Sequence, residues 1–198
     1  MIIGDISTLY PIVRGSGIAG AVVLAIFILN EELPTTSAVG IVSVICGIAV
    51  LSYRRNRKQT SLKGILLALA CGAVIMSYTL LDKLVVDKVD PFVLLLTSQF
   101  ISATAFLPYV LLKRRDEMAR TLRTLKLPVM GVALPALLSY LIILFVFQLA
   151  DVSRVVAVRE LSVVFGAISG YLLLKENFSK MRLIGVVIVV AGIILVKL

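Results

Sequence analysis

Long apolar runs, separated by short polar or proline-containing segments, dominate the chain. A helix needs about 20 mostly apolar residues to cross the roughly 30 Å hydrocarbon core of a bilayer. Seven runs approach this length, and they lack the alternation of apolar and polar positions that is typical of transmembrane strands. They cover residues 8–30, 37–53, 62–82, 91–112, 127–149, 152–174 and 181–197. The pattern predicts an all-α fold, a polytopic membrane helix bundle with seven transmembrane helices.

Two segments, one near each end of the chain, share one sequence pattern. A shift of 145 residues superposes four pairs of residues: Arg14 and Arg159, Glu31 and Glu176, Gly40 and Gly185, Gly47 and Gly192. Self-similarity at a long period indicates a duplicated unit, as in many transporter folds. Each copy of the pattern spans two predicted helices, and three further helices lie between the copies. The unit therefore has five helices, and this odd number predicts that the copies are inverted relative to each other.

The repeat divides the chain into two predicted domains. Residues 1–58 form the last two helices of a first copy, and residues 59–198 form a complete second copy. A complete first copy would need three more helices before Met1. We therefore expect an inverted five-helix repeat whose first copy is truncated at its N-terminal side.

Composition supports lipid as the surrounding solvent. Hydrophobic residues make up 60 % of the chain and charged residues 16 %, whereas soluble domains have about 45–50 % and about 25 %. The net charge of +9 arises from basic residues in short loops between the apolar runs, as the positive-inside rule expects. We therefore predict the lipid bilayer as a partner and no nucleic acid. Histidine is absent and the two cysteines lie far apart, which excludes a histidine-based triad and a Cys/His zinc site. We predict no enzyme activity, no metal and no cofactor.

Several short motifs resemble those of one transporter family. They are Tyr10-Pro11-Ile12-Val13-Arg14, Leu29-Asn30-Glu31-Glu32-Leu33, Arg159-Glu160-Leu161-Ser162 and Leu174-Lys175-Glu176-Asn177-Phe178, with two glycines after each glutamate motif. In this order and spacing the chain resembles an EamA-type member of the drug/metabolite transporter superfamily. The resemblance implies a fold of ten helices in two five-helix repeats. It aligns this chain with helices four to ten, so that the first three helices are lacking.

Charged residues inside the apolar runs are the main candidates for a substrate site. Arg159 lies eight residues after Asp151, about 12 Å along a helix at 1.5 Å per residue. Arg14 holds the equivalent place in the other copy. A charge near the bilayer centre is costly, so such residues face the bundle interior, where they pair or meet a substrate. Arg14 and Arg159 are predicted to bind an anionic group and Glu160 an amine or a proton. The alternative is a structural Arg–Glu pair that holds helices together.

Polar residues in three other spans are weaker candidates. Tyr78 could stack on a solute or donate a hydrogen bond to it, or could lie in the interfacial belt of aromatic residues. Gln99 and Tyr140 could line a path, or could form hydrogen bonds between helices. Glu31 and Glu176 are predicted to have structural roles at the ends of their helices. The paired glycines are predicted to let helix backbones approach closely.

Together these features favour a secondary carrier that moves a small metabolite by alternating access. The family resemblance implies export of an amino acid or related compound across the plasma membrane by an integral, multi-pass protein. The alternative is a transport-incompetent truncated fragment or a membrane assembly partner. A homodimer, or helices supplied by another chain, could complete the fold.

Overall fold

The fold was examined in a computed structural model, which describes residues 6–51, 61–174 and 180–197. Within these ranges all regular secondary structure is helical, so the predicted all-α class is confirmed. The helices are α1 (Ile6–Leu29), α2 (Thr35–Leu51), α3 (Leu62–Val86), α4 (Pro91–Lys113), α5 (Arg115–Thr124), α6 (Lys126–Leu149), α7 (Val152–Arg159), α8 (Leu161–Leu174) and α9 (Lys180–Lys197).

Four of the described helices are long and apolar enough to cross a membrane: α1 over Leu9–Leu29, and α3, α4 and α6 over their whole lengths. Helix α2 has 17 residues and helix α9 has 18, and both are apolar. A membrane helix bundle agrees with these lengths. The count of seven spans and the inverted repeat remain predictions.

The predicted single helix over 152–174 is wrong in one respect. The chain forms two helices, α7 and α8, that are separated by a turn at Glu160. The Glu160 N–H donates to the carbonyl of Ala157 at 3.2 Å. The acceptor is three residues back, as in a 3₁₀ turn, and not four as in an α-helix. Hydropathy could not reveal this break, because the apolar run continues without Pro or Gly next to Glu160.

The basic segment between the predicted spans 91–112 and 127–149, one of the short loops expected from the sequence, contains helix α5. Its ten residues place Asp116 and Glu117 in the first turn and Arg123 in the last. This arrangement complements the helix dipole, because the N-terminal end is partly positive and the C-terminal end partly negative. Hydropathy does not reveal α5, because most of its residues are polar.

The chain divides into two compact units. The first comprises residues 1–81 and 150–198, and the second comprises residues 82–149. In the first unit, α2 and α9 cross at two pairs of glycines. A Cβ added to Gly40 would lie 2.6 Å from the carbonyl oxygen of Gly192, and one added to Gly185 would lie 3.0 Å from that of Gly47. The predicted close approach at these glycines is confirmed.

The glycine contacts also define the direction of the two helices. As the residue number rises along α2 from Gly40 to Gly47, the partner on α9 falls from Gly192 to Gly185. Helices α2 and α9 are therefore antiparallel. The contact is also reciprocal between the two helices, since Gly40 meets Gly192 and Gly47 meets Gly185.

Helix α1 ends where Asn30 takes a positive φ of 54°, a conformation that asparagine tolerates better than most residues. The turn brings the Glu31 carboxylate to the start of α7. Its oxygens accept from the Val152 N–H at 2.6 Å, the Ser153 N–H at 3.1 Å and the Ser153 hydroxyl at 2.6 Å. Glu31 thus caps α7, and its predicted structural role is confirmed. Glu176 lies outside the described residues.

In the second unit, the end of α3 packs beside the end of α6. Lys83 Nζ donates to the Phe147 carbonyl at 2.5 Å, and Gln148 Nε2 donates to the Val86 carbonyl at 3.0 Å. Each helix therefore satisfies a C-terminal carbonyl of the other, groups that a helix leaves without an internal partner.

Candidate solute-binding site

A small cavity lies in the first unit where α1, α3 and the α7–α8 turn meet. Its lining residues are Arg14, Gly17, Ile18, Ala21, Ile75, Thr79, Val156, Arg159 and Glu160. The volume is about 20 Å³, enough for about one water molecule, because a water needs roughly 10–15 Å³ on this measure. Three charged side chains therefore share one small cavity in an apolar part of the chain.

An ion pair joins α1 to the α7–α8 turn. Arg14 Nη1 lies 3.3 Å from Glu160 Oε1. Arg14 Nε also donates to the Tyr10 hydroxyl at 3.4 Å, and its guanidinium lies 6.0 Å from the centre of the Tyr10 ring. Tyr10 is one helical turn before Arg14, so the two side chains lie on one face of α1. Tyr10 therefore holds the guanidinium in place for the carboxylate.

Glu160 is the most deeply buried charged group that the structure describes. The residue is 1 % exposed. Its second carboxylate oxygen, Oε2, is buried and has no hydrogen-bond partner within the described part of the chain. A buried acceptor without a donor is costly, and such an orphaned atom calls for a water or a ligand. The oxygen is a ready acceptor for a donor that enters the cavity.

Arg159 lines the same cavity. It is half-buried, and no hydrogen bond or ion pair joins it to another described side chain. Because Glu160 is paired with Arg14, the positive charge of Arg159 is not neutralised by a partner of its own. The three groups together carry a net charge of +1, which favours an anionic group beside Arg159.

The unequal pairing follows from one difference between the two arginine motifs. The residue after Arg159 is Glu160, whereas the residue after Arg14 is Gly15. The site thus has two arginines but one carboxylate. A second carboxylate at position 15 would be the counterpart of Glu160, and its absence leaves Arg159 as the unbalanced cation.

The structure brings three of the six predicted site residues together: Arg14, Arg159 and Glu160. Tyr78 is half-buried on α3 and does not line the cavity, whereas its neighbour Thr79 does. Gln99 is exposed on α4, in the second unit. Tyr140, also in the second unit, donates its hydroxyl proton to a carboxylate oxygen of Asp82, an interhelical bond of the kind weighed as the alternative.

Tyr10 and Thr79 are the two polar residues of the site that the sequence analysis missed. Tyr10 could have been found from its spacing of four residues before Arg14. Thr79 is 2 % exposed, and it could not be distinguished from Tyr78 without knowing which face of α3 turns toward α1.

A model of the EamA-like transporter family matches residues 62–198. The chain belongs to the EamA-like transporter family. The resemblance found in the sequence is therefore confirmed, and the protein is an integral, multi-pass membrane transporter of small solutes, as members of the EamA family are. A search of curated proteins found no match. The matched range includes Arg159 and Glu160, whereas their partner Arg14 precedes it.

Proposed function

We propose that this EamA-family protein is a secondary carrier of small zwitterionic metabolites, such as amino acids, which it exports across the plasma membrane. The observation that carries the proposal is the juxtaposition of a buried carboxylate oxygen without a donor and an arginine without an ion-pair partner in one cavity. A molecule with an amino group and a carboxylate would satisfy both.

The proposed contacts assign a separate role to each charged residue. Glu160 Oε2 accepts from the ammonium group of the solute, and Arg159 donates to its carboxylate, which an arginine can bind through two parallel hydrogen bonds. Arg14 holds the Glu160 carboxylate through its other oxygen. Binding would thus replace the hydration of both solute charges by groups that are already positioned.

Transport would require this site to open to each side of the membrane in turn. A cavity of about 20 Å³ does not hold an amino acid, so α1, α3 and α7–α8 must separate for entry and release. The antiparallel crossing of α2 and α9 supports a mechanism in which two inverted copies rock about a central site. The break at Glu160 supports it also, because discontinuous helices form the binding sites of many carriers.

The test is uptake and exchange of labelled amino acids by purified protein in proteoliposomes. The variant is Arg159→Gln and the matched control is Arg154→Gln, which removes an exposed arginine five residues earlier that contacts Asp151 at 3.5 Å. Loss of a charge-assisted contact of about 1.5–3 kcal/mol should lower transport roughly 10- to 100-fold in the first variant. The control should keep its rate. Transport at the full rate by Arg159→Gln would remove Arg159 from the site.

A second comparison tests the role of Glu160. In Glu160→Gln the amide no longer attracts an ammonium group, but it keeps the size of the side chain. We expect transport of amino acids to fall more than transport of carboxylates that lack an amino group. Equal losses for both solute classes would contradict the assignment of the amine to Glu160.

A further inference from the structure

Helix α5 is confined to one surface of the membrane. Single residues, Arg114 and Leu125, join it to α4 and α6, which are both long and apolar enough to span the bilayer. A one-residue connection reaches only about 3.5 Å. The helix therefore lies at the level where α4 leaves the hydrocarbon core and α6 enters it.

The charge of this segment is strongly positive at that level. It contains six cationic side chains, Lys113, Arg114, Arg115, Arg120, Arg123 and Lys126, and the two acidic side chains Asp116 and Glu117. All eight are exposed. The segment therefore presents an excess of positive charge where lipid headgroups lie.

Internal contacts use few of these cations. Arg114 donates to both carboxylate oxygens of Glu117, at 2.7 and 2.8 Å, and Lys113 lies over the ring of Tyr109. Arg115, Arg120 and Arg123 make no ion pair with the described residues. Three guanidinium groups are thus available on a helix of ten residues.

The two sides of α5 suit an interfacial position. Met118 and Ala119 are partly buried, whereas Arg120 and Arg123, which are three residues apart and share one face, are exposed. Arg115 is on the side of Met118, but it is the first residue of the helix and its side chain is exposed. A helix that has one apolar and one basic side lies in the membrane–water interface and is attracted to anionic lipids. Guanidinium groups also match phosphate oxygens with two parallel hydrogen bonds.

We propose that α5 is an interfacial helix that binds the headgroups of anionic phospholipids through Arg115, Arg120 and Arg123. The lipid phosphates supply negatively charged partners for three side chains that form no ion pair within the described part of the chain. The bound lipids anchor the α4–α6 connection to the membrane surface. This inference does not depend on which solute the carrier transports.

The test measures lipid retention by the purified full chain in mild detergent, using native mass spectrometry with phosphatidylglycerol and phosphatidylcholine. We expect phosphatidylglycerol to be retained preferentially. In Arg115→Gln/Arg120→Gln/Arg123→Gln, the preference should fall at least about tenfold, since juxtamembrane attraction to anionic lipid decreases roughly fivefold per arginine. Equal retention of the two lipids by the unchanged chain would overturn the proposal.

A charge-matched control separates this helix from the general positive charge of the protein. Lys63→Gln/Lys88→Gln/Lys180→Gln removes three exposed cations elsewhere and should keep the preference. An equal loss in this control would overturn the proposal. A triple Arg→Lys variant at positions 115, 120 and 123 keeps the charge and should keep most of the preference. If it loses the preference as the glutamine variant does, the arginines have a structural role instead.

The same preparations test whether another polyanion, a nucleic acid, is the partner of α5. A short single-stranded RNA is offered at the same phosphate concentration as phosphatidylglycerol vesicles. We expect the vesicles to bind and the RNA to be displaced. Tighter binding of RNA, lost in the glutamine variant, would assign α5 to nucleic acid and overturn the lipid proposal.

Discussion

The two arginine motifs occupy equivalent places in the predicted repeat, yet their local structures differ. Around Arg14 the chain is one continuous helix, α1, and the next residue is glycine. Around Arg159 the helix breaks, and the next residue is the buried Glu160. The two glycine pairs of α2 and α9, in contrast, make matching contacts. The two matching sequence segments thus agree where helices pack and differ where charges meet.

This difference indicates how two similar sequence motifs produce one paired and one unpaired arginine. A symmetric pair of motifs would give either two neutral ion pairs or two free arginines. A single carboxylate for two arginines instead produces one paired and one unpaired cation. In the proposed site, the paired arginine, Arg14, holds Glu160, and the unpaired one, Arg159, is proposed to bind the solute. Four changes of sequence would break or sharpen this comparison.

The largest effect is expected for Arg14→Gln. This variant leaves the Glu160 carboxylate buried without its cation, so the free energy of unfolding should fall by about 3–5 kcal/mol. The measurement is an unfolding titration of the purified protein in detergent, which gives this free energy. The double variant Arg14→Gln/Glu160→Gln should recover most of the loss, because no charge then remains unpaired. A single variant as stable as the original chain would mean that the ion pair is not a structural contact.

The next largest effect is expected at the glycine crossing. Alanine at Gly40 or Gly192 places a Cβ 2.6 or 2.7 Å from the carbonyl oxygen of the opposite glycine. The backbones must separate, at a cost of about 1–3 kcal/mol for overpacking. The two variants should have similar unfolding midpoints, since the contact is reciprocal. Gly131→Ala is the control, because nothing lies within 4 Å of the added Cβ. Unequal losses would show that the copies differ at this crossing too.

A smaller effect is expected for Glu31→Gln. The neutral amide has one acceptor oxygen in place of two charged ones, so it cannot accept all three hydrogen bonds from the start of α7. The free energy of unfolding should therefore fall by about 1–2 kcal/mol. Hydrogen exchange of the Val152 and Ser153 amides should also accelerate. The neighbouring variant Glu32→Gln changes an exposed side chain and should alter neither quantity. An equal effect at both positions would contradict capping by Glu31.

The smallest effect on stability is expected for Arg159→Gln. Because this arginine has no ion pair to lose, the free energy of unfolding should change by about 0.5 kcal/mol or less, as at positions without a specific contact. The same unfolding assay compares it directly with Arg14→Gln. A loss as large as that of Arg14→Gln would show that both arginines are structural, and the distinction between the copies would fail.

Much of the fold could be predicted from hydropathy, because apolar runs of about 20 residues have few alternatives to a membrane helix. The break at Glu160 could not, since neither neighbour is a helix breaker and the turn forms where Glu160 meets Arg14. Helix α5 was missed because its signal is the placement of charges along the helix, and its residues are not apolar.

The candidate site shows a similar division. Arg14, Arg159 and Glu160 could be selected because charges are rare inside apolar spans. The sequence could not show which arginine pairs with Glu160, because Arg14 and Arg159 carry the same charge. Only the packing of α1 against α7 brings Arg14 to the carboxylate. Tyr140 was a candidate solute contact because it is a polar residue in an apolar helix. The same property explains its hydrogen bond to Asp82, a second polar residue in such a helix.

The antiparallel crossing of α2 and α9 has a mechanical consequence. Its two glycine contacts are seven residues apart, or about 10.5 Å along each helix. Sliding one helix along the other by a single residue would drive side chains into backbone at both contacts at once, whereas a small rotation would leave the glycines facing each other. The two contacts therefore fix the position of α2 relative to α9 along the helix axes.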